Sequence, residues 1–469
     1  MPVDHSLLDR LRLVLPAHLV QEPSAKYLEE PRGSWKGQAG VVVLPETTDQ
    51  VSAIVKIANE HSVGIVPFGG GTGLVGGQLV TEGPSVIVMS LERMNRIRET
   101  YPSENVIVVE AGTILADIQS AAEAVERLFP LSLASEGSAR IGGNLATNAG
   151  GLNVLRYGNA RDLCIGLEAV LADGSIWNGL TRLRKDNTGY DLRNLLIGSE
   201  GTLGIITAAA LKLVARPVSY ATALLSVPDP RHALDLLSMA QAQVGEGISA
   251  FELIHKQGLD FLAETLPQVR VPLSERPEWC VLIDIGLAAG SKAEHALETL
   301  FTKAFEAGLV MDGVIAQSET QRTELWAIRE QIPTANRLIG SISSHDISIP
   351  LSLIPSFIER ASPIVQSLGD FRINCFGHLG DGNLHYNVFP AFGKSKSDYS
   401  NMKPVVQAAI HDLVHEMQGS ISAEHGIGRL KALDLETYAD PTKLAAMRAI
   451  KQALDPKGIL NPGAVLRTI

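Results

Sequence analysis

The sequence holds only three cysteines, Cys164, Cys280 and Cys375, far apart and without a CxxC or other paired spacing. That scarcity excludes a disulfide framework, and reduced, buried thiols in a cytosolic protein are expected instead. Positive charge is also scarce. Lys and Arg total 40 against 51 Asp and Glu, the formal net charge is −11, and no basic run interleaves with aromatics. Nucleic acid is therefore not an expected partner. No stretch approaches the ~18 consecutive apolar residues of a membrane span, and the N-terminal segment MPVDHSLLDRLRLVLPAHLV lacks a basic leader and cleavage site. A cytoplasmic location, at most peripheral to a membrane, is the expectation. Repeats and low-complexity tracts are missing as well, which excludes solenoid and fibrous architectures.

What remains is ample globular material: 469 residues, 45% hydrophobic and 19% charged, can bury large cores in more than one domain. Over the first 215 residues short β-branched runs alternate with helical patterns. The strands are VVVLP (41–45), VGIVPF (63–68), SVIVMS (85–90) and NVIVVEAG (105–112), with helices expected at 48–61 and 115–129. That alternation predicts α/β layering. Between 135 and 159 periodicity gives way to Gly and Asn, as in a functional loop. After Arg216-Pro217, amphipathic helices such as PRHALDLLSMAQAQ alternate with strands such as WCVLIDIGL and FRINCFGHL, and one more helix precedes PKGILNPG. The expected domains are 1–217, 218–420 and a C-terminal segment, 421–469.

Gly71-Thr72-Gly73-Leu74-Val75-Gly76 matches GxGxxG after a strand, and Glu92 could serve as a ribose-binding acid. A dinucleotide fingerprint must open a helix, whose N-terminus receives the pyrophosphate. The segment 71–84 is too rich in glycine, and too close to Pro84, to hold one. A loop of backbone N–H groups facing a phosphate is the better account. The segment SARIGGNLATNAGGLNVLRYGNARD adds Gly142, Gly143, Gly150 and Gly151 with Asn144, Thr147 and Asn148. Two cradles suggest one large nucleotide, although glycines can also serve turns alone.

In FRINCFGHLGDGNLHYN, Asp381-Gly382 is a hairpin signal. A two-residue turn there would pair His378 with His385, putting both imidazoles on one face, with Phe376 and Asn387 next along it. With Glu424 they could form an open metal site; alone they could be two stacked surface histidines. Cys375 falls on the opposite face.

The stretches PFGGGTGLVGG, IGGNLATNAGGLNVLRYG, KDNTGYDLRNLLIGSEGTLGIIT, GHLGDGNLHYN, SAEHGIGRLK and DPKGILNPG, in that order, resemble the FAD-linked D-2-hydroxy acid dehydrogenase family. The resemblance spans nearly the whole chain. It implies an α+β protein, with a vanillyl-alcohol oxidase-type FAD-binding domain of two α/β subdomains. An FAD-linked oxidase C-terminal domain of antiparallel sheet and helices follows. In that family the first loop, here Pro67, Gly69, Gly70, Gly71, Thr72, Gly73 and Leu74, holds the FAD pyrophosphate together with the second. The second contributes Ser138, Gly142, Gly143, Thr147, Asn148, Gly150, Gly151, Tyr157 and Gly158. The segment 198–207, with Glu200, Gly201, Gly204 and Ile206, lies along the flavin and adenosine, and Asn461 returns to the flavin. Neither His nor Cys stands in PFGGGTGLVGG, so FAD is expected to be noncovalent.

The same resemblance implies a divalent metal, usually zinc, on His378, His385 and Glu424, with His425 as catalytic base. Arg329 would hold the substrate carboxylate and Asn387 would join the catalytic set. Without the resemblance, Arg329 reads equally as a helix-surface residue paired with Glu324 or Glu330. The implied reaction polarises a 2-hydroxy acid on the metal, removes the hydroxyl proton and passes hydride to flavin N5. Electrons would leave to an electron-transfer flavoprotein or a quinone, and a homodimer is compatible with the family. Alternatives are an oxygen-using oxidase and a silent FAD-binding subunit. Members acting on D-2-hydroxyglutarate carry a Thr and a Lys where this chain has Pro333 and Ser344, which weakens that substrate relative to D-lactate or an apolar-tailed acid.

Overall fold

The computed structural model describes residues 5–31, 33 and 35–467. It divides into two units: Met1–Gly151 with Tyr157–Ala215 and Glu424–Ile469, and Leu152–Arg156 with Arg216–Ala423. Among the described residues no helix is long and apolar enough to cross a membrane. All three cysteines are buried and unpaired.

In the first unit the β-branched runs Val41–Val43, Ile87–Ser90 and Ile65–Phe68 pair in parallel, and Val20–Gln21 adds an antiparallel edge. The helix Thr48–His61 begins where the Thr47 side chain accepts the Gln50 N–H, and it ends where Ser62 turns left-handed at φ 53°. Its stripe of Val51, Ile54, Val55 and Ala58 is buried, as helical spacing demands. A second, antiparallel sheet runs in the order Ile97–Tyr101, Val106–Glu110, Ile205–Lys212, Cys164–Val170, Ile176–Gly179.

Two expectations change here. The helix expected over 115–129 is Leu115–Glu123; Glu126 turns left-handed at φ 58°, and Arg127–Leu128 pairs with Val214–Ala215 as a short strand. The apolar pair Leu128 and Phe129 continued the helical pattern in the sequence but belongs to that strand and its exit. The stretch 135–159 is not all loop either. Ile141–Ala146 and Val154–Tyr157 are short helices, the first hidden by the low helix propensity of Gly142 and Gly143.

The second unit is a seven-stranded antiparallel sheet in the order Asp312–Ile315, Ser219–Val227, Trp279–Leu287, Ile248–His255, Phe371–His378, Asn383–Pro390, Ser343–Ser348. On one face Ile254, Cys280, Leu282 and Phe376 form a core with Phe261, Ile328 and Ile332. Those last three come from the helices Lys256–Thr265 and Glu319–Ile339, which therefore lie over this face.

The hairpin differs in detail from the sequence expectation. Leu379–Asp381 winds into a 3-10 turn and Gly382 takes φ 84°, so Phe376, rather than His378, pairs with His385. The register moves by two residues. Strand side chains alternate with period two, so an even shift keeps both histidines on one face. They become diagonal neighbours with ring centroids 5.6 Å apart.

Candidate functional site

Each unit carries a constellation of its own. In the first, no helix forms between Phe68 and Pro84, so the Gly-rich segment is a loop. It rests directly on the second Gly-rich segment: a Cβ at Gly69 would lie 3.5 Å from Gly143 Cα, and one at Gly70 would overlap the Ser138 carbonyl oxygen. Gly71, at φ 72°, turns the chain away. Gly142 is packed, since a Cβ there would come 2.7 Å from Ala111 Cβ, whereas one at Gly143 would meet no protein atom within 4 Å. Beside it Asn144 is buried, and its Oδ1 has no hydrogen-bond partner in the chain. An acceptor without a partner in the chain, and in the same short helix a glycine that leaves open space, are two features that a bound polar group would account for. The residues therefore fit a nucleotide cofactor.

Further segments converge on these loops. Glu200 and Gly201 both have positive φ, 52° and 71°, and a Cβ at Gly201 would lie 2.8 Å from Pro67 Cγ. The Glu200 N–H donates to the Ala146 carbonyl at 2.8 Å. Its carboxylate accepts from the N–H groups of Ile427 (2.7 Å) and Gly428 (2.8 Å). Burial pushes this carboxyl up, while those two donors oppose the shift. Asn461 donates through Nδ2 to the carbonyls of Gly77 (3.0 Å) and Glu200 (2.7 Å). Arg429 clamps the carbonyls of Gly76 and Gly77 and Asn461 Oδ1. Glu424 Oε1 accepts the Gly151 N–H at 2.7 Å, and half-buried His425 stands between Glu424 and Gly426.

Several residues of the expected cofactor set have local structural partners. Thr147 donates to the Gly143 carbonyl at 3.0 Å, and Asn148 Oδ1 accepts the Arg161 N–H at 3.0 Å. Gly158 (φ 77°) turns against Asp162, a Cβ at Gly204 would come 3.0 Å from Leu196 Cδ2, and Ile206 is buried in its strand. Tyr157 closes a short helix, and the Ser138 hydroxyl donates to the Ser135 carbonyl. Among the first-loop residues, Gly73 is held by Gln78, which donates to its carbonyl at 2.8 Å; Thr72 and Leu74 lie on either side of it, and Gly150 immediately precedes Gly151.

In the second unit the strand registers assemble a polar stripe on the sheet face beneath the helix Glu319–Ile339. Glu252 stands opposite His378, Phe376 opposite His385, Asn374 opposite Asn387, and Asp346 and Ser344 opposite His385 and Asn387. Glu252 is fully buried and carries two partners: His378 Nδ1 at 2.7 Å and Arg329 Nε at 2.7 Å. Burial alone would raise its carboxyl, but the His378 imidazole and the Arg329 guanidinium outweigh it and hold it at about 2. Arg329 thus pairs with Glu252, not with Glu324 or Glu330, and its guanidinium lies 4.7 Å from the Phe376 ring centroid. Asn336, two turns along the same helix, accepts from Asn374 at 2.9 Å. Asp346 is held by Asn383 Nδ2 at 3.0 Å and lies 3.9 Å from His385 Nδ1. Asn387 is buried in its strand.

Sequence reasoning did not find Glu252, Asp346, Asn374 or Asn383. The signal for Glu252 was present: an acid inside the apolar run ISAFELIH must be paired if that run is a core strand.

Two imidazoles on one face, one of them braced by a carboxylate, suit a borderline divalent ion. The comparisons with known proteins agree with the cofactor reading. Residues 39–179 match the FAD binding domain family, and residues 216–465 match the family of FAD linked oxidases, C-terminal domain. The chain is 37% identical to D-2-hydroxyglutarate dehydrogenase, mitochondrial, of Arabidopsis thaliana, covering 92% of this chain and 76% of that protein. It is 37% identical to the Bos taurus protein of the same name (98% and 83%), and 34% identical to D-2-hydroxyglutarate dehydrogenase of Stutzerimonas stutzeri (98% and 99%). Among solved structures, p-cresol methylhydroxylase with substrate bound superposes with a TM-score of 0.75 at 16% identity, over 98% of this chain and 96% of that one. A 4-ethylphenol oxidase from Gulosibacter chungangensis gives 0.73 at 17% identity, over 98% and 96%. These two likenesses establish the vanillyl-alcohol oxidase-type fold. With both domain families matched and relatives sharing more than a third of their residues over most of its length, the chain belongs to the FAD-linked D-2-hydroxy acid dehydrogenase family.

Proposed function

We propose that this protein oxidises a D-2-hydroxy acid to the 2-keto acid, using noncovalent FAD and a divalent metal, with zinc the first choice. His378, His385 and Glu424 would hold the metal, and the Gly-rich loops would hold FAD. Chain continuity supports Glu424: the preceding residue, Ala423, donates its N–H to the carbonyl of Asp346, which stands opposite His385. When bound, the flavin supplies a hydride acceptor at N5 and the metal a Lewis acid. His425 takes the hydroxyl proton. Arg329, its Nε committed to Glu252, offers its Nη atoms to the substrate carboxylate. Asn387 lies on the same sheet face as the histidines and helps to orient the acid.

The observation that carries the reading is the imidazole pair on one buried sheet face with a guanidinium held beside it: a donor set for a metal and a cation for an oxyacid. The names of the relatives support D-2-hydroxyglutarate as substrate. One feature favours a second acid. Ser344 is exposed and donates to Ser341, and Pro333 is exposed within its helix, so neither position offers a cation to a distal carboxylate. D-lactate or an apolar-tailed D-2-hydroxy acid is the alternative. Electrons would pass to an electron-transfer flavoprotein or a quinone, and the buried, unpaired cysteines support a reducing, cytoplasmic setting.

The test is metal analysis of the purified protein combined with anaerobic bleaching of its flavin by D- and L-2-hydroxy acids. Bleaching by D-acids only is expected. Failure of every 2-hydroxy acid to bleach the flavin would favour a silent subunit, and peroxide formed without added acceptor would make the protein an oxidase.

A further inference from the structure

Neutral imidazole ligates a metal through one nitrogen and needs its proton on the other, and in water neither tautomer is strongly favoured. The two histidines of the sheet face differ in how this is settled. His385 Nδ1 lies 3.9 Å from Asp346 Oδ1, whereas His378 Nδ1 lies 2.7 Å from Glu252 Oε1. Register builds the shorter bond: Glu252 and His378 are directly opposed on adjacent antiparallel strands, so their side chains leave the sheet together. The other oxygen of Glu252 is held at 2.7 Å by Arg329 Nε, and both residues are buried, Arg329 to 4% exposure. A carboxylate gripped at both oxygens cannot swing away from the ring.

We propose that Glu252 is the positioning residue of this centre: it accepts the Nδ1 proton of His378, presents Nε2 to a divalent cation, and ties that ligand to the orientation of Arg329. The inference rests on the metal site proposed above. Because a carboxylate behind a ligating imidazole both orients the ring and increases its donor strength, losing it typically weakens metal binding 10- to 100-fold. Glutamine is the informative replacement. It keeps the shape but presents one oxygen and one NH₂, so it can accept from only one of the two donors it faces.

The experiment measures Zn²⁺ and Co²⁺ dissociation constants by competition with a chromophoric chelator, on chelator-stripped, FAD-loaded protein. Wild type, Glu252→Gln, His378→Ala and the double variant are compared, with flavin content and melting temperature as checks on folding. Glu252→Gln is expected to raise the dissociation constant by roughly 10- to 100-fold and to alter the Co²⁺ ligand-field spectrum. In the His378→Ala background the same change should cost little more, because the residue acts through that ring. If Glu252→Gln folds poorly, Glu252→Asp keeps the charge and withdraws it from the ring, and a similar weakening is expected. Wild-type affinity in folded Glu252→Gln, or an equal loss in both backgrounds, would overturn the proposal. Wild type that binds neither ion would instead refute the metal site itself.

Discussion

Gly70 and Gly143 belong to the two adjoining Gly-rich segments, yet their substitutions should fail in opposite ways. Gly143 lies within the helix Ile141–Ala146, and a Cβ there would meet no atom within 4 Å outside its own helix backbone and chain neighbours, so the side chain leaves the helix into open space. Leucine is the better helix former by ~0.5–1 kcal/mol. The flavin-free Gly143→Leu protein should therefore melt no lower than wild type. If FAD fills the open space, the same side chain collides with it, and each tenfold loss of affinity is worth ~1.4 kcal/mol. Gly70→Ala meets the Ser138 carbonyl, and separating two backbone segments costs about 1–3 kcal/mol before any cofactor arrives. Thermal melting of stripped protein across an FAD titration separates the two cases, because ligand stabilisation grows as RT ln(1 + [L]/Kd). Gly143→Leu should start at the wild-type melting temperature and gain little from FAD; Gly70→Ala should start low. A Gly143→Leu protein that binds FAD as tightly as wild type would place the cofactor elsewhere.

Four shorter expectations accompany this one. Acid precipitation should release the flavin to the supernatant, since the first Gly-rich loop offers no His or Cys for attachment; flavin retained in the pellet contradicts that. Chelation, or His378→Ala or His385→Ala, should abolish substrate-driven flavin reduction while FAD stays bound, because the FAD loops belong to the other unit; a metal-free enzyme with full activity removes the metal from the reaction. His425→Ala should slow anaerobic flavin reduction by roughly 10²- to 10⁴-fold with a smaller effect on substrate binding, read by stopped-flow absorbance. Ser344→Lys should raise the kcat/KM ratio for D-2-hydroxyglutarate over D-lactate, and an unchanged or falling ratio would mean that this position does not face the distal end of the substrate.

Much of the fold was legible because its signals are local. The helix Thr48–His61 and the strand Trp279–Leu287 fall where period and capping place them. The hairpin shows how far such signals reach. Its turn departs from the two-residue form that Asp-Gly predicts, since Leu379–Asp381 coils before Gly382 reverses the chain, yet the shared face of the two histidines depends only on parity and is unchanged by a two-residue shift. The candidate site could be proposed from sequence where glycine and histidine cluster, whereas the partners that meet through sheet order, such as Glu252 and His378, could not.

Arg329 makes the point most clearly. Its neighbours Glu324 and Glu330 invited a surface pairing, but the burial of Leu325, Ile328, Ile332, Ala335 and Asn336 marks one stripe of the helix, and Arg329 falls within it. A guanidinium on the inward stripe of an amphipathic helix cannot be a surface residue, and its burial demands an anion. The strand Ile248–His255 carries an acid inside an apolar run, with the converse demand. Each segment alone announces an unmet charge. Which acid answers which base depends on a strand order that no local pattern encodes, and that order sets Glu252 between the guanidinium and His378.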